Sequence, residues 1–161
     1  MYERFGEMNS YQEINELAEN LANEDDRESL LALGEENGIP EDMVIAYLDG
    51  EFQSMCDAET AAVGKIEVEK KAMGLSGLFE DWTGYIEAEI MKDPDFAIMV
   101  RRKGKSLDGC MARLLKFAFE NRKPVPDEIK KAAKISASRV DFGVPGMKEA
   151  KRIIRAYYRE A

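Results

Sequence analysis

Residues 106–119 read SLDGCMARLLKFAF and carry the clearest structural signal in the chain. Their apolar side chains recur at intervals of three and four positions: Leu107, Cys110, Met111, Leu114, Leu115, Ala118 and Phe119. This spacing places the apolar positions on one face of an α-helix. Ser106 precedes the series, where its hydroxyl can cap the helix. The stretch therefore predicts an amphipathic helix with one buried face.

The same helical period recurs on both sides of this stretch, and no segment shows the sustained alternation of a strand. Ser10 and Glu13 have the spacing of a capping box at the start of the first helix. Gly38, Gly50 and Gly74 follow apolar series at positions where helices end. Helices are predicted over residues 10–23, 26–37, 40–49, 53–73, 76–90, 93–102, 106–119, 127–134 and 146–160.

These elements predict an all-α fold, a compact bundle of about seven to nine short helices without significant sheet. A length of 161 residues suits a single helical domain over residues 1–161. A finer hypothesis divides it into an acidic N-terminal subdomain, residues 1–75, packed on a basic C-terminal subdomain, residues 76–161. We expect Trp82 and Tyr157 to pack in the core and Tyr158 to face solvent.

The composition points away from enzyme chemistry. The chain contains no histidine, which excludes the Ser-His-Asp and Cys-His catalytic sets and every His-ligated metal site. Cys56 and Cys110 lack CxxC spacing, so a zinc site or redox motif has no support. One disulfide between them is an alternative, and two buried free thiols are favoured over it. No residue is therefore assigned to catalysis, to a cofactor or to a metal, and we expect a non-enzymatic protein.

The chain also shows no sign of export or membrane insertion. Residues 1–7 carry acidic side chains and no apolar run, and no segment approaches about eighteen consecutive apolar residues. We therefore expect no secretory signal, no membrane partner and a cytoplasmic location.

The charge is unevenly distributed along the chain. Residues 1–81 hold 21 acidic and 5 basic residues, whereas residues 82–161 hold 11 acidic and 18 basic residues. Such asymmetry suggests charged partners. Three hypotheses compete: the halves neutralise each other, the basic half binds nucleic acid, or the acidic half imitates a polyanion and occupies a basic groove on a partner.

The second hypothesis, DNA or RNA binding, rests on basic residues able to neutralise phosphates. Three clusters carry them: Arg101, Arg102, Lys103 and Lys105; Lys130, Lys131, Lys134 and Arg139; and Lys148, Lys151, Arg152, Arg155 and Arg159 on the outer face of the last helix.

The third hypothesis, polyanion imitation, rests on the segment from Leu30 to Leu48, which is patterned as two helices joined by a turn. A DNA-reading helix needs basic or amide side chains, which are replaced here by acids, so a helical hairpin that binds protein is favoured over a DNA reader. The acidic face assigned to a partner comprises Glu35, Glu36, Glu41, Asp42 and Asp49.

Residues 93–110 also carry a family likeness. The motif Asp93-Pro94-Asp95-Phe96-Ala97-x-x-Val100, followed by residues 103–105 and by Ser106-Leu107-Asp108-Gly109-Cys110, resembles a segment of the PcfK-like proteins. An ENGI-type turn at residues 36–39, Tyr-Leu-x-Gly at 47–50 and the pattern of residues 143–158 resemble small helical proteins of the same mobile elements.

PcfK-like proteins occur on conjugative elements and phages of gut Firmicutes, and some members and relatives act as anti-CRISPR proteins. The resemblance therefore implies a non-enzymatic anti-defence protein of a phage or mobile element. Its partner would be a type II RNA-guided nuclease or another host defence protein in the bacterial cytoplasm. The alternative is a nucleic-acid-binding accessory protein that contacts guide RNA or DNA through its basic C-terminal half. An exposed amphipathic helix would also permit a homodimer.

Overall fold

The computed structural model describes all 161 residues and contains nine helices with one minimal pair of strands. The all-α expectation is confirmed. In chain order the elements are α1 Tyr11–Asn23, α2 Arg27–Glu36, α3 Glu41–Leu48, α4 Ala58–Met73, α5 Leu78–Ile90, α6 Pro94–Arg101, α7 Leu107–Glu120, β1 Lys123–Pro124, α8 Asp127–Ala132, β2 Asp141–Phe142 and α9 Met147–Arg159.

Polar side-chain caps fix the starts of α1, α2, α4 and α6. The Ser10 hydroxyl accepts a hydrogen bond from the Glu13 N–H, as a capping box requires, and the Glu13 carboxylate accepts the N–H of Asn9. Helix α4 begins at Ala58, not at the predicted residue 53, because the Asp57 carboxylate caps the N–H of Thr60 at 2.8 Å. Met55 is fully buried although it precedes the helix.

The chain forms two compact units: residues 1–108 together with Ala161, here called the acidic unit, and residues 109–160, here called the basic unit. Helix α7 starts in the acidic unit and continues through the basic one. Residues 75 and 76 lie inside the acidic unit, and the hypothesis of a subdomain boundary between them stays a prediction.

The acidic unit is built around α4, which packs against α5 and α6. Gly64 of α4 packs against the turn at Gly38. The two backbones approach so closely that a Cβ at Gly64 would overlap the carbonyl oxygen of Asn37. Trp82 is buried, as expected, with its ring edge-to-face at 5.7 Å from that of Phe79.

The basic unit contains α7, α8, α9 and the strand pair. Arg113 of α7 bonds Glu160 through both terminal nitrogens and lies over the ring of Tyr157 of α9, 5.2 Å from its centroid. Tyr157 is buried as expected, but Tyr158 is also fully buried, contrary to its predicted exposure. The reason is helical spacing: Tyr158 lies four positions after the buried Ile154 and shares its face.

None of the nine helices has both the length and the apolar composition required to cross a lipid bilayer.

Candidate functional site

The charge asymmetry of the sequence coincides with the two structural units. The basic unit holds 13 basic and 6 acidic residues, a net charge of +7. Residues 1–108 hold 10 basic and 26 acidic residues, a net charge of −16. Because the opposite charges belong to different units, each unit presents a surface of one dominant sign.

Helix α9 carries the densest basic surface. Its inner face buries Ala150, Ile153, Ile154, Tyr157 and Tyr158. The intervening positions are exposed cations that, together with Ala156, line a shallow cavity of about 460 Å³: Lys148, Lys151, Arg152, Arg155 and Arg159. The helical period places the buried residues on one face, so five predicted basic residues share the opposite surface.

Some cations of the basic unit are held by nearby acids. The Arg152 Nε donates to Glu149 at 3.0 Å, which raises the pKa of Arg152 and lowers that of Glu149. Arg139 pairs with Asp141 at 2.9 Å. Both arginines are largely exposed and their acidic partners are half-buried, so the pairs are weak and a phosphate can compete for the cations.

The second predicted cluster lies around α8. Lys130 is half-buried, because it pairs with Asp127 at 2.8 Å and donates to the Ser138 carbonyl at 3.1 Å. By contrast, six cations of the basic unit are exposed and form no ion pair: Arg122, Lys123, Lys131, Lys134, Lys148 and Arg159.

The structure removes Arg101 from the predicted basic face. Its side chain is only 1% exposed, and its Nη2 donates to the Asn37 Oδ1 at 2.5 Å, while its guanidinium centre lies 6.0 Å from the Tyr2 ring centroid. Arg102 and Lys103 are exposed and Lys105 is half-buried. These three residues lie in the acidic unit, so residues 101–105 and the α9 surface belong to different units.

Beside Arg101 lies a buried ionic cluster that the sequence analysis missed. Lys65 is fully buried, and its Nζ lies 2.6 Å from the Glu7 Oε1, 2.9 Å from the Arg102 carbonyl and 3.9 Å from Glu69. Glu69 is 3% exposed and accepts the N–H of Leu107 at 2.6 Å. Burial lowers the pKa of Lys65 and raises that of Glu69.

The ionic cluster ties residues 1–9 to the loop before α7. The Glu7 carboxylate also accepts the N–H of Gly104 at 3.3 Å, and the Asn9 side chain accepts the N–H of Lys103 at 3.1 Å. Residues 65 and 69 are four positions apart within the apolar series of α4, which is the signal that would have revealed them. These contacts stabilise the fold, because they hold residues 1–9 against α4 and the loop before α7.

The predicted acidic face is only partly assembled. Glu35 and Glu41 line a shallow cavity of about 590 Å³ together with Arg4 and Glu28. Asp42 is exposed beside Glu41 in the first turn of α3, whereas Asp49 is exposed at the other end of that helix. Glu36 is half-buried and accepts the backbone N–H groups of Arg4 and Phe5, so it anchors the N-terminal segment.

The cysteines are buried and free, as predicted. Burial raises the pKa of both thiols, Cys56 and Cys110, to about 12, which leaves almost no reactive thiolate near neutral pH. The structure holds no cluster of three or more Cys, Asp or Glu side chains arranged to bind a metal ion.

Neither a family model, nor a curated protein, nor a solved structure matches this chain. The likeness of residues 93–110 to PcfK-like proteins therefore stays a prediction.

Proposed function

We propose that this chain is a non-enzymatic binding protein whose basic unit binds nucleic acid. The observation that carries the proposal is the exposed cationic face of α9 within a 52-residue unit of net charge +7. Cations arranged along one surface neutralise phosphates and release condensed counterions, which supplies most of the affinity of non-specific binding.

The dimensions of α9 suit this role. From Lys148 to Arg159 the helix rises by about 16 Å, at about 1.5 Å per residue. One strand of a nucleic-acid duplex places phosphates about 3.4 Å apart along the axis, so the row can follow about five of them. Since Glu149 is the one acid among the exposed charges of α9, the row is interrupted once and only near its start.

The test measures binding of labelled duplex DNA, single-stranded DNA and RNA by fluorescence anisotropy between low and moderate salt. Replacing Lys148, Lys151 and Arg155 with alanine should weaken binding and reduce the slope of log K against log salt by about two to three. The matched control replaces Arg27, Lys71 and Lys92, three exposed cations of the acidic unit, and changes the net charge equally. Absence of binding to all three ligands at low salt would contradict the proposal.

A second candidate function is inhibition of a type II RNA-guided nuclease by the acidic unit, as part of a phage or mobile element. The observation that favours it is that Glu35, Glu41, Asp42 and Asp49 are exposed and form no ion pair. Unpaired surface carboxylates in a unit of net charge −16 can imitate a polyanion and occupy a groove that normally holds nucleic acid. The resemblance of residues 93–110 points the same way.

Size exclusion with light scattering separates the two functions. The chain is mixed with a guide-loaded type II nuclease in one run and with nucleic acid alone in another. Inhibition predicts a shift only with the nuclease, and the Glu41→Lys/Asp42→Lys variant should weaken it. Glu16→Lys/Glu19→Lys, on exposed positions of α1, is the matched control. Unchanged affinity of the Glu41/Asp42 variant would contradict the acidic-mimic mechanism.

A further inference from the structure

Phe119 is an exposed aromatic ring held beside a cation. Its side chain is 63% exposed, near the end of α7. The guanidinium centre of Arg122 lies 4.0 Å from the ring centroid, and the Arg122 Nε donates to the Phe119 carbonyl at 2.9 Å. The cation therefore covers one face of the ring and fixes its position while the side chain remains open to solvent.

Phe142, on the strand pair, is a second exposed aromatic residue opposite a cation. It is 72% exposed, and its register partner across the antiparallel pair is Lys123, which is also exposed. Directly opposed residues in an antiparallel pair place their side chains on the same face of the sheet. Lys123 and Phe142 therefore form a second pair of a cation and an exposed ring.

The segments that carry the two pairs touch where Gly143, directly after β2, packs against α7. Gly143 packs so closely on the Ala118 carbonyl that a Cβ at this position would overlap it, and that Cβ would also lie 3.0 Å from the Arg122 side chain. Phe142 directly precedes Gly143, and Phe119 directly follows Ala118. Both rings are thus attached to residues adjoining a single close contact, which only glycine permits.

Next to Phe119 lies a shallow cavity of about 380 Å³ lined by Phe119, Glu120, Arg122, Arg139 and Asp141. Its walls hold two guanidinium groups, one of them partly neutralised because Arg139 pairs with the half-buried Asp141. The surface thus combines ring faces with cations. A purely apolar partner would have to remove these cations from water without compensation.

We propose that the preferred ligand of the basic unit is single-stranded nucleic acid, whose unpaired bases stack on Phe119 and Phe142 while Arg122, Lys123 and the α9 cations hold its phosphates. This inference rests on the proposed function and specifies its ligand. Unpaired bases expose their faces to aromatic side chains, whereas a duplex buries those faces between neighbouring base pairs.

The experiment compares a labelled single strand with its own duplex, using the full chain. Phe119→Ala and Phe142→Ala should each weaken binding of the single strand by about tenfold or more. Binding of the duplex should stay within about twofold, because its bases cannot stack on the rings. Phe119→Tyr should retain the affinity, since tyrosine also stacks. Leu115→Ala is the matched control, at a position on the same helix that is 60% exposed and apolar but not aromatic.

The outcomes distinguish this inference from the function on which it rests. If the Phe→Ala variants bind the single strand as well as the parent, while neutralising Lys148, Lys151 and Arg155 abolishes binding, the stacking proposal is overturned and nucleic-acid binding stands. If no nucleic acid binds, both are overturned. Concentration-dependent self-association that Phe119→Ala dissolves would assign the rings to a homodimer and would also overturn the stacking proposal.

Discussion

Two basic residues of the acidic unit and the cations of α9 in the basic unit lie in opposite environments. Lys65 and Arg101 are buried and hold segments of the fold together, whereas the cations of α9 face solvent. The difference lies in position relative to the apolar series. Arg101 follows the buried Ala97 by four positions and so shares its face, while Lys151 and Arg155 lie between the buried positions of their helix. Spacing, not residue type, decides whether a cation supports the fold or remains available to a partner.

The two environments also differ in energetic cost. Burying the Lys65 ammonium removes it from water, and this penalty is offset by Glu7, Glu69 and the Arg102 carbonyl together. The exposed cations of α9 keep their hydration, so their replacement should affect binding and leave stability nearly unchanged. Lys65→Met and Lys116→Ala test this contrast directly, and Gly64→Ala and Asp26→Asn compare it with a backbone contact and a helix cap of the acidic unit.

The largest effect is expected for Lys65→Met. It leaves Glu69 buried without its cation, and loss of one partner from a buried ion pair costs about 3–5 kcal/mol in the free energy of unfolding. Urea denaturation measures the loss. Lys71→Met, at an exposed position of the same helix, should change that free energy by less than about 0.5 kcal/mol. A Lys65→Met protein as stable as the parent would show that Glu69 is not ionised in the fold.

Gly64→Ala should be the next most damaging change. The added methyl group would meet the backbone of Asn37 and Gly38, which cannot rotate away as a side chain would, so we expect a loss of about 2–4 kcal/mol. Gly84→Ala, inside α5 with open space around the added Cβ, should instead stabilise by about 0.5–1 kcal/mol. Thermal unfolding of both variants measures the difference. Equal effects would contradict the close contact at Gly64.

Asp26→Asn tests a cap at the start of α2. Hydrogen bonds from the Ser29 side chain and N–H lower the pKa of Asp26 below its usual 3.8. The ionised cap therefore contributes stability above pH 3.8, and this contribution is lost as the pH falls through the lowered pKa. The stability gap between the parent and Asp26→Asn should be constant near neutrality and narrow below pH 3.8. Urea titrations at several pH values measure it.

The control for the cap is Asp25→Asn. Asp25 has a left-handed backbone (φ 56°), which asparagine also tolerates, and it caps no helix. This substitution therefore replaces a neighbouring carboxylate and leaves the Asp26 cap in place, so at neutral pH its free energy of unfolding should stay within about 0.5 kcal/mol of that of the parent. An Asp26 gap that stays constant down to pH 2 would exclude the ionised cap.

The smallest effect is expected for Lys116→Ala in the basic unit. Lys116 is 76% exposed and lies 3.9 Å from Glu120, a surface pair that contributes less than about 0.5 kcal/mol. The midpoint of urea unfolding should stay almost unchanged. If Lys116→Ala lowered the free energy of unfolding as much as Lys65→Met does, the expected difference between the two units would be contradicted.

Local rules predicted most of the helices. Ser10 and Glu13 capped α1 as expected, Gly74 ended α4 in the left-handed conformation, and α9 runs from 147 to 159 against the predicted 146–160. The start of α4 was misplaced because Met55 continues the apolar spacing without belonging to the helix. The strand pair was missed because two residues per strand leave no alternation to detect.

The candidate site was less predictable for a different reason. The α9 face follows from spacing alone, but the partner of Arg101 lies 64 positions away, and that of Lys65 lies 58 positions away. A cluster of basic residues in the sequence gives no indication of such tertiary partners. The exposed residues Phe119 and Phe142 both adjoin the contact of Gly143 with Ala118, which no local pattern contains.

The attachment of residues 1–9 should slow amide hydrogen exchange in the loop before α7. By composition this loop of basic residues and glycine would be expected to exchange its amide hydrogens rapidly. Yet the N–H groups of Lys103 and Gly104 are held by side chains from Asn9 and Glu7. Their exchange should therefore depend on release of the amino-terminal segment, and a short deletion there should expose these two amides almost a hundred residues away.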